Sequence, residues 1–190
     1  RPDAEVLTLF GTGHQAAYEA QAIARIRKLS RVLVVGRDPA RTEAFAQKLR
    51  SSNLPAEAAE AETAVRAADI IVTATTATAP LFKAAWVQPG THISSMGSDS
   101  KDKQELPADV FRDARLFCDL PEQSVRIGEF QHAGPEATPT AIGSVLSGDA
   151  LGRGHADEIT IFDSSGISLQ DLHMAKAIID HQAGSGAAKI

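Results

Sequence analysis

Three stretches of this chain place residue types at spacings that could hold or transform a small molecule. The first is "GTGHQA", Gly11 to Ala16, directly after the apolar run "VLTLF" and directly before "HQAAYEAQAIARI". It fits G-x-G-x-x-A in the strand, turn and helix setting that a dinucleotide pyrophosphate requires. Gly11 permits the tight turn, Thr12 lies within it, Gly13 lets backbone N–H groups approach a phosphate, and small Ala16 lets the helix pack close. The phosphate would rest on the positive end of that helix, beside His14 and Gln15. His14 reads equally well as a solvent-facing residue at a helix start.

The second stretch is "VVGRDPAR", residues 34 to 41. An NAD site usually carries an acid at the end of the second strand, about 20 residues past the glycines, to accept the ribose 2′-hydroxyl. Here Gly36 stands at that point, Arg37 follows, and Arg41 comes one turn later. Guanidiniums bind a 2′-phosphate through charge-assisted hydrogen bonds, so NADP is expected in preference to NAD. Asp38 is the alternative acid, but followed by Pro39 it reads as the N-cap of the next helix.

The third comprises "TATTATAPLF" (73 to 82) and "SSMGSDSKDKQEL" (94 to 106), each following an apolar run. Ligands in doubly wound folds lie at the carboxyl ends of strands. Thr75 could hydrogen-bond a ribose, and Gly97, Ser98 and Asp99 would reach the same crevice, although a threonine-rich loop is also ordinary turn chemistry. The Asp99 carboxylate could act as a base or orient an amine, or serve only the loop. Other chemistries lack their residues. No P-loop occurs, Tyr18 is followed four residues on by Ala22 rather than Lys, and a single cysteine gives no zinc site. A net charge of −5 argues against a nucleic-acid surface.

Positioning these residues falls to strand-like runs at 5 to 10, 31 to 36, 69 to 75, 92 to 96, 115 to 120 and 158 to 164, with helical segments between them. Such alternation predicts an α/β fold of the Rossmann type, a doubly wound and mostly parallel sheet with helices on both faces. "ISLQDLHMAKAIID", 167 to 180, predicts an amphipathic helix with Leu169, Leu172, Ala175, Ile178 and Ile179 on one stripe. Residues 121 to 157 read as short helical pieces broken by glycine and proline. One domain is expected over 1 to 182, with a flexible tail at 183 to 190. The apolar runs fall well short of the roughly 20 residues that span a bilayer. The start carries no signal-peptide order and Cys118 is alone, so a cytoplasmic setting is expected.

Taken in order, "GTGHQA", "VVGRDPARTEAFA", "ADIIVTATTATAPLF", "PGTHISSMGSDSKDKQEL" and "ITIFDSSGISLQDLHMAKAI" resemble the ornithine cyclodeaminase and mu-crystallin family. The resemblance implies a nicotinamide-cofactor enzyme acting at the α-carbon of an amino or imino acid, and an ornithine cyclodeaminase-like reaction first. Cyclic imine or ketimine reductases, an alanine dehydrogenase type and non-catalytic crystallin-like binders of NADPH and a ligand are the family's alternatives. It also implies residue roles. Asp99 would handle the substrate amine, Gly13, His14 and Gln15 the pyrophosphate, and Arg37 and Arg41 the 2′-phosphate. Thr75 would lie on the adenosine or ribose side, Met96, Gly97 and Ser98 near the nicotinamide, and Ser164, Ser165 and Gly166 in a loop closing over the cofactor. Family chains carry, ahead of the nucleotide domain, a lobe that holds substrate and forms a homodimer. This sequence starts almost at the first strand, so a domain from a longer chain is expected, one that binds cofactor without turnover.

Overall fold

Near-continuous apolar runs such as "VLTLF", "RVLVV" and "IIVT" suit strands covered on both faces, which is the environment of a parallel sheet. The computed structural model describes residues 1–186, and across them such a sheet forms. Its strands are β1 (Val6–Phe10), β2 (Arg31–Val35), β3 (Ala56–Ala58), β4 (Ile70–Thr73), β5 (His92–Ser95), β6 (Ala114–Cys118), β7 (Thr140–Ala141) and β8 (Ile159–Asp163). They lie in the order β3-β2-β1-β4-β5-β8-β6-β7, and every pairing is parallel. The order reverses at β1 and β4, and the crevice outside the strand ends at such a reversal is where open α/β sheets bind ligands.

The helices are α1 (His14–Ala24), α2 (Pro39–Ser51), α3 (Ala61–Ala67), α4 (Pro121–Ile127), α5 (Ile142–Ser147) and α6 (Ser168–Gly186). Alternation along β1 divides the core in two. Leu7 and Leu9 join Val32, Val34, Phe45, Leu49 and the small Ala16 and Ala20 on the side of α1 and α2. Phe10 joins Val65, Ile71, Ile93, Phe111, Phe130 and Ile161 on the other side. Buried Thr8 faces that second side and donates its hydroxyl to the Ala64 carbonyl of α3 at 2.9 Å.

The six predicted strands all form, each within a residue or two of the expected bounds. The two edge strands, β3 and β7, were not legible, because "AEA" and "TA" are too short to show a period and carry little β-propensity. Arg25, Arg27 and Lys28 follow the end of α1, and Arg27 donates to the carbonyls of Arg1 and Ile26. Helix α6 forms where its period predicts, but its stripe is not buried: Leu169, Leu172, Ile178 and Ile179 are each more than half exposed. It continues to Gly186, within the stretch expected to be a tail, and residues 187 to 190 lie outside the described residues. No helix among the described residues is long and apolar enough to cross a membrane.

Cys118 ends β6 fully buried as a free thiol, and burial with Asp119 and Asp163 nearby pushes its pKa up to about 12. A thiol held protonated is a poor nucleophile. Native chain treated with iodoacetamide at neutral pH should therefore stay unlabelled on mass analysis, while denatured chain should take one label.

Candidate functional site

The turn after β1 is set by sterics. Gly11 has φ +115°, and a Cβ there would lie 2.5 Å from the Ala74 carbonyl oxygen. Only glycine takes this conformation at such a close approach. Gly13 differs, because a Cβ on it would meet no protein atom within 4 Å. Gly13 is the N-cap of α1, no side chain caps that terminus, and the first turn carries no acid. The N–H groups opening α1 thus face open space with the positive end of the helix dipole behind them.

That space belongs to a cleft of about 480 Å³ at the carboxyl ends of β1, β2 and β4. Gly11, Thr12, Gly13, Gly36, Arg37, Asp38, Arg41 and Thr75 line it. Gly36 admits no side chain, because the Thr42 hydroxyl occupies the place of its Cβ. The Asp38 carboxylate accepts the Arg41 N–H at 3.0 Å and caps α2, with Pro39 in the first turn. The Arg37 and Arg41 guanidiniums are exposed and, among the described residues, make no side-chain hydrogen bond or ion pair. His14 and Gln15 are exposed on the first turn of α1 but do not line the cleft.

Of the other sequence-derived residues, Met96, Gly97, Ser98, Asp99, Ser164, Ser165 and Gly166 do not line this cleft. Thr75 lines it, yet its hydroxyl is spent internally, donating to Glu105 Oε1 at 2.7 Å and accepting the Ala77 N–H at 3.1 Å. Met96 is half-buried, and its sulfur accepts the Ser94 hydroxyl at 3.4 Å. Ser98 is fully buried, with its hydroxyl directed at the Lys103 carbonyl. Asp99 stands on the exposed loop after β5, 60% exposed and 2.5 Å from Lys103 Nζ. Ser164, Ser165 and Gly166 follow β8, where the Asp119 carboxylate accepts both hydroxyls and the Gly166 N–H, and the Gln123 amide donates to the same turn.

A match to the family model described as ornithine cyclodeaminase/mu-crystallin covers residues 1–186. The chain belongs to this family. The iminosuccinate reductase of Paracoccus denitrificans is 38% identical over 191 residues, 98% of this chain and 59% of that protein. Its crystal structure in complex with NAD+ superposes with a TM-score of 0.88. An archaeal alanine dehydrogenase dimer with bound NAD gives a TM-score of 0.92 at 32% identity, over 98% of this chain and 60% of that one. The ornithine cyclodeaminase of Agrobacterium fabrum is 31% identical over 97% of this chain and 53% of its own length. The chain thus spans a little over half the length of the relatives it matches.

In this family member three buried carboxyl groups, none singled out from the sequence, stand behind the crevice. Glu105, Glu129 and Asp163 are each fully buried. Asp163 Oδ1 accepts the Glu129 N–H at 3.0 Å, and its other oxygen accepts the Ser124 hydroxyl. Glu129 Oε1 accepts the N–H groups of Glu105 and Leu106 at 3.0 and 2.7 Å. Glu105 in turn accepts from Thr73, Thr75 and Gly97. Ser95 Oγ lies 3.3 Å from Glu105 Oε2 and 3.5 Å from Glu129 Oε2, with one proton to give. A proton kept on Glu129 can donate to Ser95, which then donates to Glu105. The signal available was an acid closing an apolar strand, "ITIFD", since an aspartate there must find buried donors.

Burial pushes Glu129 up to about 7 and Asp163 up to about 6, in each case against hydrogen bonds that act to lower it. The folded chain therefore holds protons that the unfolded chain releases near its ordinary values of 4.5 and 3.8. Their contribution to stability is complete below those values and is lost as pH rises through about 6 and then 7, a difference on the order of a few kcal/mol. Melting curves between about pH 5 and pH 8 should show this decline, and Glu129→Gln should flatten it while lowering Tm at the acid end.

Proposed function

We propose that this chain is the nicotinamide-dinucleotide-binding part of an enzyme that works by hydride transfer at the α-carbon of an amino or imino acid, in the manner of an ornithine cyclodeaminase. The observation that carries the reading is the uncapped start of α1, opening at Gly13 onto a cleft that also holds Arg37 and Arg41. A helix start of this kind is an anion site, and the space over Gly13 suits a pyrophosphate. The cofactor, when bound, supplies the hydride acceptor or donor. Backbone N–H groups of Gly13, His14 and Gln15 would hold its phosphates, with Gly11 and Thr12 shaping the turn beneath.

NADP is the proposed preference. The relatives described above carry NAD, but here two unengaged guanidiniums share the β2 end of the cleft, and the nearest carboxylate, Asp38, is already committed as a cap. Fluorescence titration should show NADPH binding more tightly than NADH. Arg37→Asp should reverse that order, costing NADPH about tenfold or more, roughly the worth of one charge-assisted contact. An unchanged preference would remove Arg37 from the ribose site.

Asp99 is the proposed catalytic residue, holding or moving a proton at the substrate amine. Its exposure and pairing with Lys103 leave the carboxylate at the mouth of the β5 loop, where a substrate can reach it. Met96, Gly97 and Ser98 would border the nicotinamide, and Ser164, Ser165 and Gly166 would close the far side. In a chain of the relatives' full length, Asp99→Asn should reduce turnover about 100-fold or more, the usual worth of a positioned acid or base, with cofactor affinity within about twofold of wild type. Equal turnover would dismiss the role. The chain as it stands is proposed to bind cofactor without turnover, and the enzyme to act as a cytoplasmic homodimer completed by residues outside it.

A second reading, redox chemistry without ring closure, is favoured by the higher identity to an iminosuccinate reductase than to an ornithine cyclodeaminase, 38% against 31%. Assay of amino-acid oxidation, imine reduction and ammonia release separates the two. A crystallin-like binder would show no stereospecific turnover in any of them.

A further inference from the structure

Glu105 touches both loops that border the crevice without lining the cleft itself. Its Oε1 accepts the Thr75 N–H and hydroxyl, each at 2.7 Å. Its Oε2 accepts the Thr73 hydroxyl at 2.6 Å and the Gly97 N–H at 2.9 Å, with Ser95 Oγ at 3.3 Å. Five donors from the ends of β4 and β5 thus converge on one carboxylate, which has lone pairs for about four well-formed bonds and no donor of its own. We propose that Glu105 is a positioning residue of the nucleotide site, fixing the cleft-lining loop at Thr75 against the Asp99-bearing loop at Gly97 before any ligand arrives.

Two further features support preorganisation over a general role in folding. The fit at Gly97 is filled, since a Cβ there would strike the Thr75 carbonyl oxygen and lie 2.5 Å from Glu105 Oε1. The main chain that carries Glu105 is itself held, because its own N–H and that of Leu106 donate to Glu129, and the Glu129 N–H to Asp163. Thr75 presents its methyl to the glycine turn, 3.4 Å from where a Cβ on Gly11 would stand. A displaced carboxylate would therefore free the Thr75 loop to enter the space beside that turn, and binding would have to reorder it.

The inference rests on the dinucleotide reading of the cleft, and one experiment separates their failures. NADPH fluorescence titrations of the chain are compared for wild type, Glu105→Gln, Thr75→Val and Val110→Ala, at a temperature where melting curves show each folded. Glu105→Gln keeps the shape but turns an amide N–H against one of the two donor sets. It should bind NADPH at least tenfold more weakly, while Val110→Ala, a core truncation away from the crevice, lowers Tm and binds as wild type does. Thr75→Val, which deletes one donor, should weaken binding at least threefold and decides the matter if Glu105→Gln fails to fold. Glu105→Gln or Thr75→Val binding within twofold of wild type would overturn the inference and leave Glu105 a staple of the fold. Equal weakening in Val110→Ala would overturn it as well. Wild type binding neither NADPH nor NADH would remove the dinucleotide reading and this inference together.

Discussion

Parallel strands end in carbonyls and N–H groups that no neighbouring strand satisfies, and the loops leaving them are free to splay unless something gathers them. In this chain the Glu105 carboxylate does so for the ends of β4 and β5. Buried donors left unpaired would each cost about 1–3 kcal/mol, and gathering them on one acid avoids that cost at both strand ends. The arrangement is hierarchical. Asp163 closes β8 and holds the Glu129 amide, Glu129 holds the segment at Glu105 and Leu106, and Glu105 holds the crevice loops. The turn carrying Glu129 also reaches the Asp99 loop directly, through His132 at the Lys103 carbonyl, 2.7 Å away, and Gln131 at the Ser100 carbonyl.

The other half of the site works by what is left unsatisfied. Protein groups close off the turn at Gly11 and the cap at Asp38, whereas the start of α1 has open space before it and no side-chain acceptor. An anion entering there meets oriented N–H dipoles that need no rearrangement. The two halves meet at Thr75, which lines the cleft and turns its methyl to the glycine turn while its N–H and hydroxyl donate to Glu105.

The strands, the glycine turn and the α2 cap were legible because each is a local pattern: an apolar run, G-x-G-x-x-A, an Asp followed by Pro. The buried acids were not, because Glu105, Glu129 and Asp163 are far apart in sequence and each sits in a segment that reads as loop or strand end. A carboxylate among "SDSKDKQEL" looks like a solvated charge until the fold turns it inward. The same long-range dependence reduces the reading of Thr75, since a hydroxyl assigned to ribose from its place in the chain already donates within the protein. The stripe of α6 was read correctly as a period, but period alone does not say what covers it.

None of the three buried acids takes a hydrogen bond or ion pair from a lysine or arginine among the described residues; their partners are amides and hydroxyls. Dissolved ions weaken exposed charges over a Debye length of about 10 Å at 0.1 M and barely reach groups out of water. Ionic strength therefore acts on the two halves of the site unequally. The contacts an anionic ligand would make with Arg37 and Arg41 fade as salt is added, while the scaffold that shapes the crevice holds its form.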